Sequence, residues 1–238
     1  DNDILDIFDS IGGQIGQFAE RIIAEEKVKA SLREKEVLLY EVHHRIKNNM
    51  QIISSLLSLQ SKYVQDKSAS ESFLKCQNRI KSMSIVHEML YQSNNIAMIN
   101  SKDYIKRLLD VISNSYSSHV LNLNIELCSE DVFLPADVAV SLGIIINELM
   151  VNSIKHAFPP DMINKEMRKE ISIVFRSVAQ NKAALNIKDN GVGLPKNIDI
   201  DKSYTLGLKL VNLLVRQLDG KIQIINNGGI DFKIELKI

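Results

Sequence analysis

The stretch Glu41–Gln51 reads EVHHRIKNNMQ, two adjacent histidines flanked by cations and amides. With Val42 at zero on an ideal helix of about 100° per residue, Leu39, Ile46, Ile53 and Leu56 fall between roughly −40° and +60°. They form one apolar stripe, so the segment reads as a long amphipathic helix. His43 lies near 100°, on the shoulder of the stripe, and His44 near 200°, opposite it. On the His44 face stand Tyr40, Lys47, Asn48, Gln51, Ser55 and Ser58, all able to make polar contacts. Adjacent helical residues diverge too far to chelate one ion as an i, i+4 pair does, so the two histidines are not a metal site. His44 is then either an ordinary solvated residue or a nucleophile that needs a donor elsewhere in the chain.

Working outward, a first seam runs through Ile4, Phe8, Ile11, Ile15, Phe18 and Ile22 at spacings of four and three, weakened locally by Gly12 and Gly13. After the charged segment AEEKVKASLREKE, a second seam runs through Leu32, Leu39, Ile46 and Ile53, with Val28, Val42 and Leu56 beside it. The change of phase reads as a stutter or a linker. The helix is expected to end near Ser61–Gln65. A second helical pattern, Phe73, Ile80, Met83, Val86, His87 and Leu90, runs to the polar YQSNN. Two long helices joined by a short polar loop make a hairpin too slim to bury its seam alone. Pairing with a second copy as a four-helix bundle, hence a homodimer, is the economical solution.

From about Ile99 the texture changes. DYIKRLLDVISNSY reads as helix, LNIELC as strand, and LPADVAVSLGIIINELMVNSIKHAF as a long apolar helix with Pro135 near its start. Strands are expected at Ile171–Val178 and Ala184–Lys188, helix again at LGLKLVNLLVRQLDG, and a final hairpin turning at Gly228–Gly229. Strands and helices without strict alternation predict an α+β sandwich, with helices on one face of a mixed or antiparallel sheet.

Composition narrows the function. The chain of 238 residues has 29 Lys plus Arg against 29 Asp plus Glu, which argues against nucleic acid as a partner. Cys76 and Cys128 show no zinc or disulfide spacing, so a reducing cytoplasm is expected. No apolar run is read as approaching the roughly 18 residues of a membrane span. Three segments carry nucleotide chemistry. In NELMVNSIKHAF, Glu148, Asn152, Lys155 and His156 follow at spacings of four, three and one, so the first three share a helix face. A carboxylate, an amide and an ammonium in a row suit Mg²⁺ and phosphate oxygens, or are simply the polar face of a buried helix. In DNGVGLP, Asp189 can accept from an adenine amino group and the glycines allow close approach, although DNG is also a common turn. In TLGLKLV, Gly207 opens a helix whose free N–H groups can face phosphate, or merely start it.

Together HHRIKNNMQ, NELMVNSIKHAF, DNGVGLP and LGLKLV resemble a sensor histidine kinase, of the subfamily whose phosphoacceptor box reads HHR-x-KNN, related to the HWE kinases. The resemblance covers residues 30–238. It implies ATP in a Bergerat-type pocket, with Asn152 holding Mg²⁺, Lys155 and His156 near the phosphates and Asp189 reading the adenine. Gly191 and Gly193 would shape the pocket, Pro195–Leu206 would be a lid, and Gly207 with Leu208 its hinge. Aligned with the H-E-x-x-x-P pattern, the phosphorylated position is His44, as the outward angle also favours. An acid usually follows that histidine, but here Arg45 does, which leaves Glu148 as the candidate base. A glutamate there equally suits ATP hydrolysis or a phosphatase. FDSIGGQIGQFAERIIAEE resembles the exit helix of a GAF-type sensory domain, implying an N-terminal sensory domain outside this chain. The implied organisation is 1–30 signalling linker, 31–97 dimerisation and phosphotransfer domain, and 98–238 catalytic ATP-binding domain. The implied activity is ATP-dependent histidine autophosphorylation followed by transfer to an aspartate of a response-regulator receiver domain. An ATPase of the same superfamily and a silent dimeric scaffold are the alternatives.

Overall fold

The computed structural model describes residues 2–92, 98–116, 122–159, 168–193 and 206–238. Helix α1 spans Asn2–Tyr63 without a break, through Gly12, Gly13, Gly16 and the charged phase change. Glycine in a helix costs about 1 kcal/mol relative to alanine, and cooperative propagation along so long a helix absorbs it. Helix α2 spans Lys67–Gln92, and Asp66 just before it accepts a bond from the Ser68 N–H at 2.9 Å. The chain forms two compact units, 1–43 and 44–238. The first is the N-terminal part of α1, with Val28, Leu32, Leu39 and Val42 all 46–67% exposed.

The second unit holds everything else. The end of α1 and α2 run antiparallel, with Gln77 Nε2 donating to Ser54 O at 3.0 Å and Lys47 Nζ 3.3 Å from Glu88 Oε2. Between them lies a groove of about 460 Å³ lined by Met50, Gln51, Ser54, Ile80, Ser84 and Glu88. On its other side α2 enters the main core. Val86 and Leu90 are 0% and 1% exposed. Each such side chain contributes roughly 1.5–3 kcal/mol when fully buried, well above the 0–1 kcal/mol of a surface ion pair. Apolar burial therefore seats α2.

The remaining elements are β1 (Met98–Asn100), α3 (Ser101–Ser115), β2 (Leu123–Ser129), β3 (Phe133–Pro135), α4 (Ala136–Asn152), β4 (Lys169–Ala179), β5 (Lys182–Asp189), α5 (Leu206–Gln217), β6 (Lys221–Asn226) and β7 (Ile230–Lys237). A π-helical turn, Ser153–Ala157, continues α4. Asn100 caps α3, its Oδ1 accepting from Asp103 N. The main sheet has the order β2-β4-β5-β7-β6, with β2–β4 parallel and the other pairs antiparallel, so it is mixed. Ile171, Ile173 and Phe175 of β4, Leu185 and Ile187 of β5, and Phe232, Ile234 and Leu236 of β7 alternate onto one buried face. The period of two sends Arg176, Lys188 and Lys233 to the other side. The three-residue strands β1 and β3 pair with each other and were not legible in the sequence, being too short to show a period.

Helix α4 is the spine of the core, buried on nearly every side from Val138 to Val151. By length and composition Ala136–Ala157 would pass for a membrane span, which corrects the expectation that no run approaches that length. In the fold 83% of its most apolar window is buried, as in a core helix. Gly143 lets α3 approach it: a Cβ there would overlap the hydroxyl of Tyr104, which donates to Ser82 O at 3.3 Å. Gly143→Ala is expected to destabilise the unit by about 1–3 kcal/mol in urea unfolding, as overpacking does. Adding Tyr104→Phe, which removes the overlapping oxygen, should recover part of the loss.

Candidate functional site

His44 is exposed and His43 half-buried, matching the angular positions of the two on the helix. One turn on, the Asn48 amide nitrogen lies 3.4 Å from His44 Nδ1. Amide oxygen and nitrogen are interchangeable by a flip, and with the oxygen facing Nδ1–H the ring's lone pair is on the other nitrogen. Asn48 lay in the quoted box, but only the folded geometry singles it out.

Asp189 ends β5 and is 1% exposed. Its Oδ1 accepts from the backbone N–H groups of Gly191 (3.1 Å) and Ile230 (3.2 Å), and its Oδ2 accepts from the Ser153 hydroxyl (2.8 Å). Three donors therefore fix a buried carboxylate that has about four acceptor positions, leaving one for a ligand N–H. Ser153 was missed in the sequence because a serine after Asn152 carries no signal by itself. The glycines of DNGVGLP are required by packing: a Cβ on Gly191 would run into the Ala157 carbonyl, and the same carbonyl accepts from Val192 N at 2.9 Å. Gly193 has φ +71°, a left-handed conformation that disfavours other residues. Gly207 and Leu208 lie in the first turn of α5, Leu208 packed against the core. The expected lid, residues 195–206, lies outside the described residues except for Leu206.

Asn152 is the last residue of α4, half-buried, one turn after Glu148. The change to π-helical winding at Ser153 falls where the expected phosphate-facing residues stand, a placement common at functional sites. Glu148 is 3% exposed, and its Oε1 accepts from Arg79 Nε of α2 at 2.7 Å. Lys155 Nζ lies 2.8 Å from Glu71 Oε2, also on α2, and 5.5 Å from the Tyr116 ring centroid. So α2 grips both ends of the predicted polar row. Arg79 and Glu71 had no sequence signal, because the pairing depends on α2 docking across 69 and 84 residues of chain. Burial pushes the Tyr116 hydroxyl up to about 12, an un-ionised phenol at working pH.

His156 keeps much of its surface exposed, yet partial burial of the ring, then Lys75 and Lys155, hold its pKa below the ordinary 6.5, with Glu71 pulling the other way. The folded state therefore disfavours protonation, and the unfolded chain binds the proton first. That contribution to stability is complete above pH 6.5 and is lost as pH falls through the lower folded value. An NMR titration of the His156 ring should show a midpoint below 6.5, and unfolding should grow easier across that interval.

The residues fit ATP with Mg²⁺. A fixed buried acceptor stands beside a glycine cradle, and the amide of Asn152 is the kind of hard oxygen donor Mg²⁺ takes. Among the described residues no cluster of three His, Cys, Asp or Glu side chains could hold a metal alone, so an ion here would rely on phosphate oxygens as well.

Comparison with known proteins agrees with both halves. Residues 41–116 match the family described as histidine kinase, and residues 137–238 that described as histidine kinase-, DNA gyrase B-, and HSP90-like ATPase. The chain is 31% identical over 195 residues to the sensor histidine kinase PdtaS of Mycobacterium tuberculosis, covering 81% of this chain and 37% of that protein. It is 24% identical over 198 residues to blue-light-activated histidine kinase 2 of Erythrobacter litoralis, covering 80% of this chain and 54% of that one. Its fold is similar to the histidine kinase domain of the Erythrobacter litoralis EL346 blue-light activated histidine kinase, with TM-score 0.62, 20% identity, and 84% and 90% of the two chains covered.

Proposed function

Because this chain belongs to the sensor histidine kinases of the HHR-x-KNN-box type, with a Bergerat-type ATP-binding domain, we propose that it transfers the γ-phosphoryl group of ATP to its own His44. The observation that carries the reading is Asp189, a buried carboxylate fixed on three donors with acceptor capacity left for an adenine amino group. The chain spans 37% of the length of PdtaS, so the whole receptor's activity and partners are part of the proposal.

In this reading Asp189 holds the base, with Gly191 and Gly193 letting the backbone close against it. Asn152 would hold Mg²⁺, which would supply charge neutralisation at the phosphate oxygens. Lys155 and His156 border the phosphates, and Gly207 with Leu208 hinge the segment before α5. A ring nitrogen of His44 attacks the γ-phosphorus, a nitrogen–phosphorus bond forms, the bond to the bridging oxygen breaks, and ADP leaves. The remaining ring proton leaves the other nitrogen, which Asn48 is placed to orient, to solvent water at this exposed position. Phosphoryl transfer asks for little covalent chemistry from the protein, so alignment and charge neutralisation are its main tasks. Glu148 is not the base of this step, since Arg79 engages its Oε1 at 2.7 Å and turns the carboxylate toward α2.

The exposed Leu32, Leu39, Val42, Ile53 and Leu56 support a homodimer that buries them in a four-helix bundle, within the segment 31–97. The exposed His44 face suits docking of a response-regulator receiver domain whose aspartate takes the phosphoryl group. Segment 1–30 would carry the signal and 98–238 the catalysis, in the cytoplasm. The test is incubation with γ-labelled ATP and Mg²⁺. Label that is lost in acid and survives alkali supports a phosphohistidine; released phosphate without protein label points to an ATPase.

A further inference from the structure

The ion pair between α2 and α4 has a chemical consequence for the fate of ATP. Glu148 stands one turn before Asn152 on the same helix face, so its carboxylate is the next group along from the proposed Mg²⁺ and phosphate positions. A buried carboxylate so placed is equipped to take a proton from water while the water oxygen attacks the γ-phosphorus. In that side reaction the bond to the bridging oxygen breaks and ADP and inorganic phosphate leave, with no phosphohistidine formed. The match of residues 137–238 to a family that includes ATPases shows that one fold serves both outcomes.

Glu148 is not free to do this. Its side chain is 4% exposed, and Oε1 accepts from Arg79 Nε at 2.7 Å and lies 3.5 Å from Asn147 Nδ2. A guanidinium stays charged at any working pH. The bond to Glu148 raises the Arg79 pKa further, outweighing the opposing effect of burial. With Oε1 held on the guanidinium and the side chain turned away from bulk water, the carboxylate is not placed to accept from an attacking water. We propose that Arg79 is a specificity-determining positioning residue, which withholds Glu148 from water so that the γ-phosphoryl group goes to histidine. This rests on the kinase reading above.

A bridge that served only to fasten α2 would leave the reaction alone. The fastening has other members: Lys155–Glu71 at 2.8 Å, Ser115 Oγ donating to Asn78 Oδ1 at 3.1 Å, and the buried Val86 and Leu90. Loss of Arg79 therefore does not by itself release the helix.

The experiment measures phosphate release and acid-labile protein label from the same reactions, with ATP and Mg²⁺, for the full chain and its variants. Arg79→Gln is expected to raise phosphate release at least about tenfold through kcat, with KM for ATP little changed. Arg79→Lys, which keeps the charge but loses the planar fork, should fall between parent and Gln. Arg79→Gln/Glu148→Gln should return release to the parent level, a reversal that a fastening role does not produce. A folded Arg79→Gln that binds ATP and releases phosphate no faster than the parent overturns the inference. So does a double variant that keeps the gain. If Arg79→Gln does not fold, Arg79→Lys decides alone, and an unchanged rate sinks the idea. A parent that neither binds ATP nor gains acid-labile label removes the kinase reading itself, and the inference with it.

Discussion

His44→Ala abolishes the acid-labile label while leaving ATP binding and the fold in place. The expectation follows from where the side chain sits. His44 is exposed on the helix face opposite the apolar stripe, so nothing in the core depends on it. Substitutions at such positions usually change stability by no more than about 0.5 kcal/mol. Its removal deletes the proposed nucleophile, so the label should fall to background and not merely slow. ATP affinity should change by less than about twofold, because Asp189, the glycines and Asn152, the residues proposed to hold ATP and Mg²⁺, are all on other elements. The control is His43→Ala. His43 is half-buried on the shoulder of the same helix and should lose some packing but keep the label. A reversed pattern, with label lost in His43→Ala and kept in His44→Ala, would exchange the two roles. Label kept in both would move the acceptor off this box altogether.

What could be read in the sequence, and what could not, divides along physical lines. Periodicity is local, and every long element was legible: the 3.6-residue stripe of α1, the alternation in LNIELC and in the last hairpin, and the turn at Gly228 and Gly229, which take φ +64° and +118°. The motif residues were legible too, because a carboxylate before two glycines or an i, i+4 polar row is a short-range pattern. The partners of those residues were not. Ser153 meets Asp189 across 36 residues, Arg79 meets Glu148 across 69, and Glu71 meets Lys155 across 84. None of these distances leaves a trace in a window of a dozen residues. The same limit applies to α2, expected as half of a hairpin that buries its seam against a second copy. Its apolar residues Val86 and Leu90 were read as seam, and they are part of the main core. A stripe tells that a face is buried, not what covers it. For α4 the error ran the other way. An all-round apolar helix has no face to read, and composition alone does not separate a core spine from a membrane span.

Asp189 is where these partners matter most, and the second large effect is expected there. Asp189→Ala leaves the N–H groups of Gly191 and Ile230 and the Ser153 hydroxyl without an acceptor in a site that is 1% exposed. Each buried donor left unmade costs about 1–3 kcal/mol, so the alanine variant should lose several kcal/mol in urea unfolding and bind nucleotide poorly for that reason alone. Asp189→Asn separates binding from folding. The amide has the same shape, and its oxygen can keep the two backbone donors, while the Ser153 hydroxyl can rotate and accept from the new NH₂. The fold should therefore survive with a modest loss. The acceptor position that Asp189 keeps in reserve now carries a donor, and an adenine amino group also donates. The contact changes from an attraction to a charged acceptor into a clash of like groups. Losing a hydrogen bond to a charged group is worth about 1.5–3 kcal/mol, so ATP affinity measured by calorimetry should fall by roughly 10- to 150-fold. A guanine or hypoxanthine nucleotide presents an oxygen where adenine presents its amino group, and the new NH₂ can donate to it. GTP should therefore lose less affinity than ATP in Asp189→Asn, and the ratio of the two should shift toward GTP. If Asp189→Asn folds normally and binds ATP as tightly as the parent, the carboxylate is a structural anchor for the glycine turn and the adenine is read elsewhere.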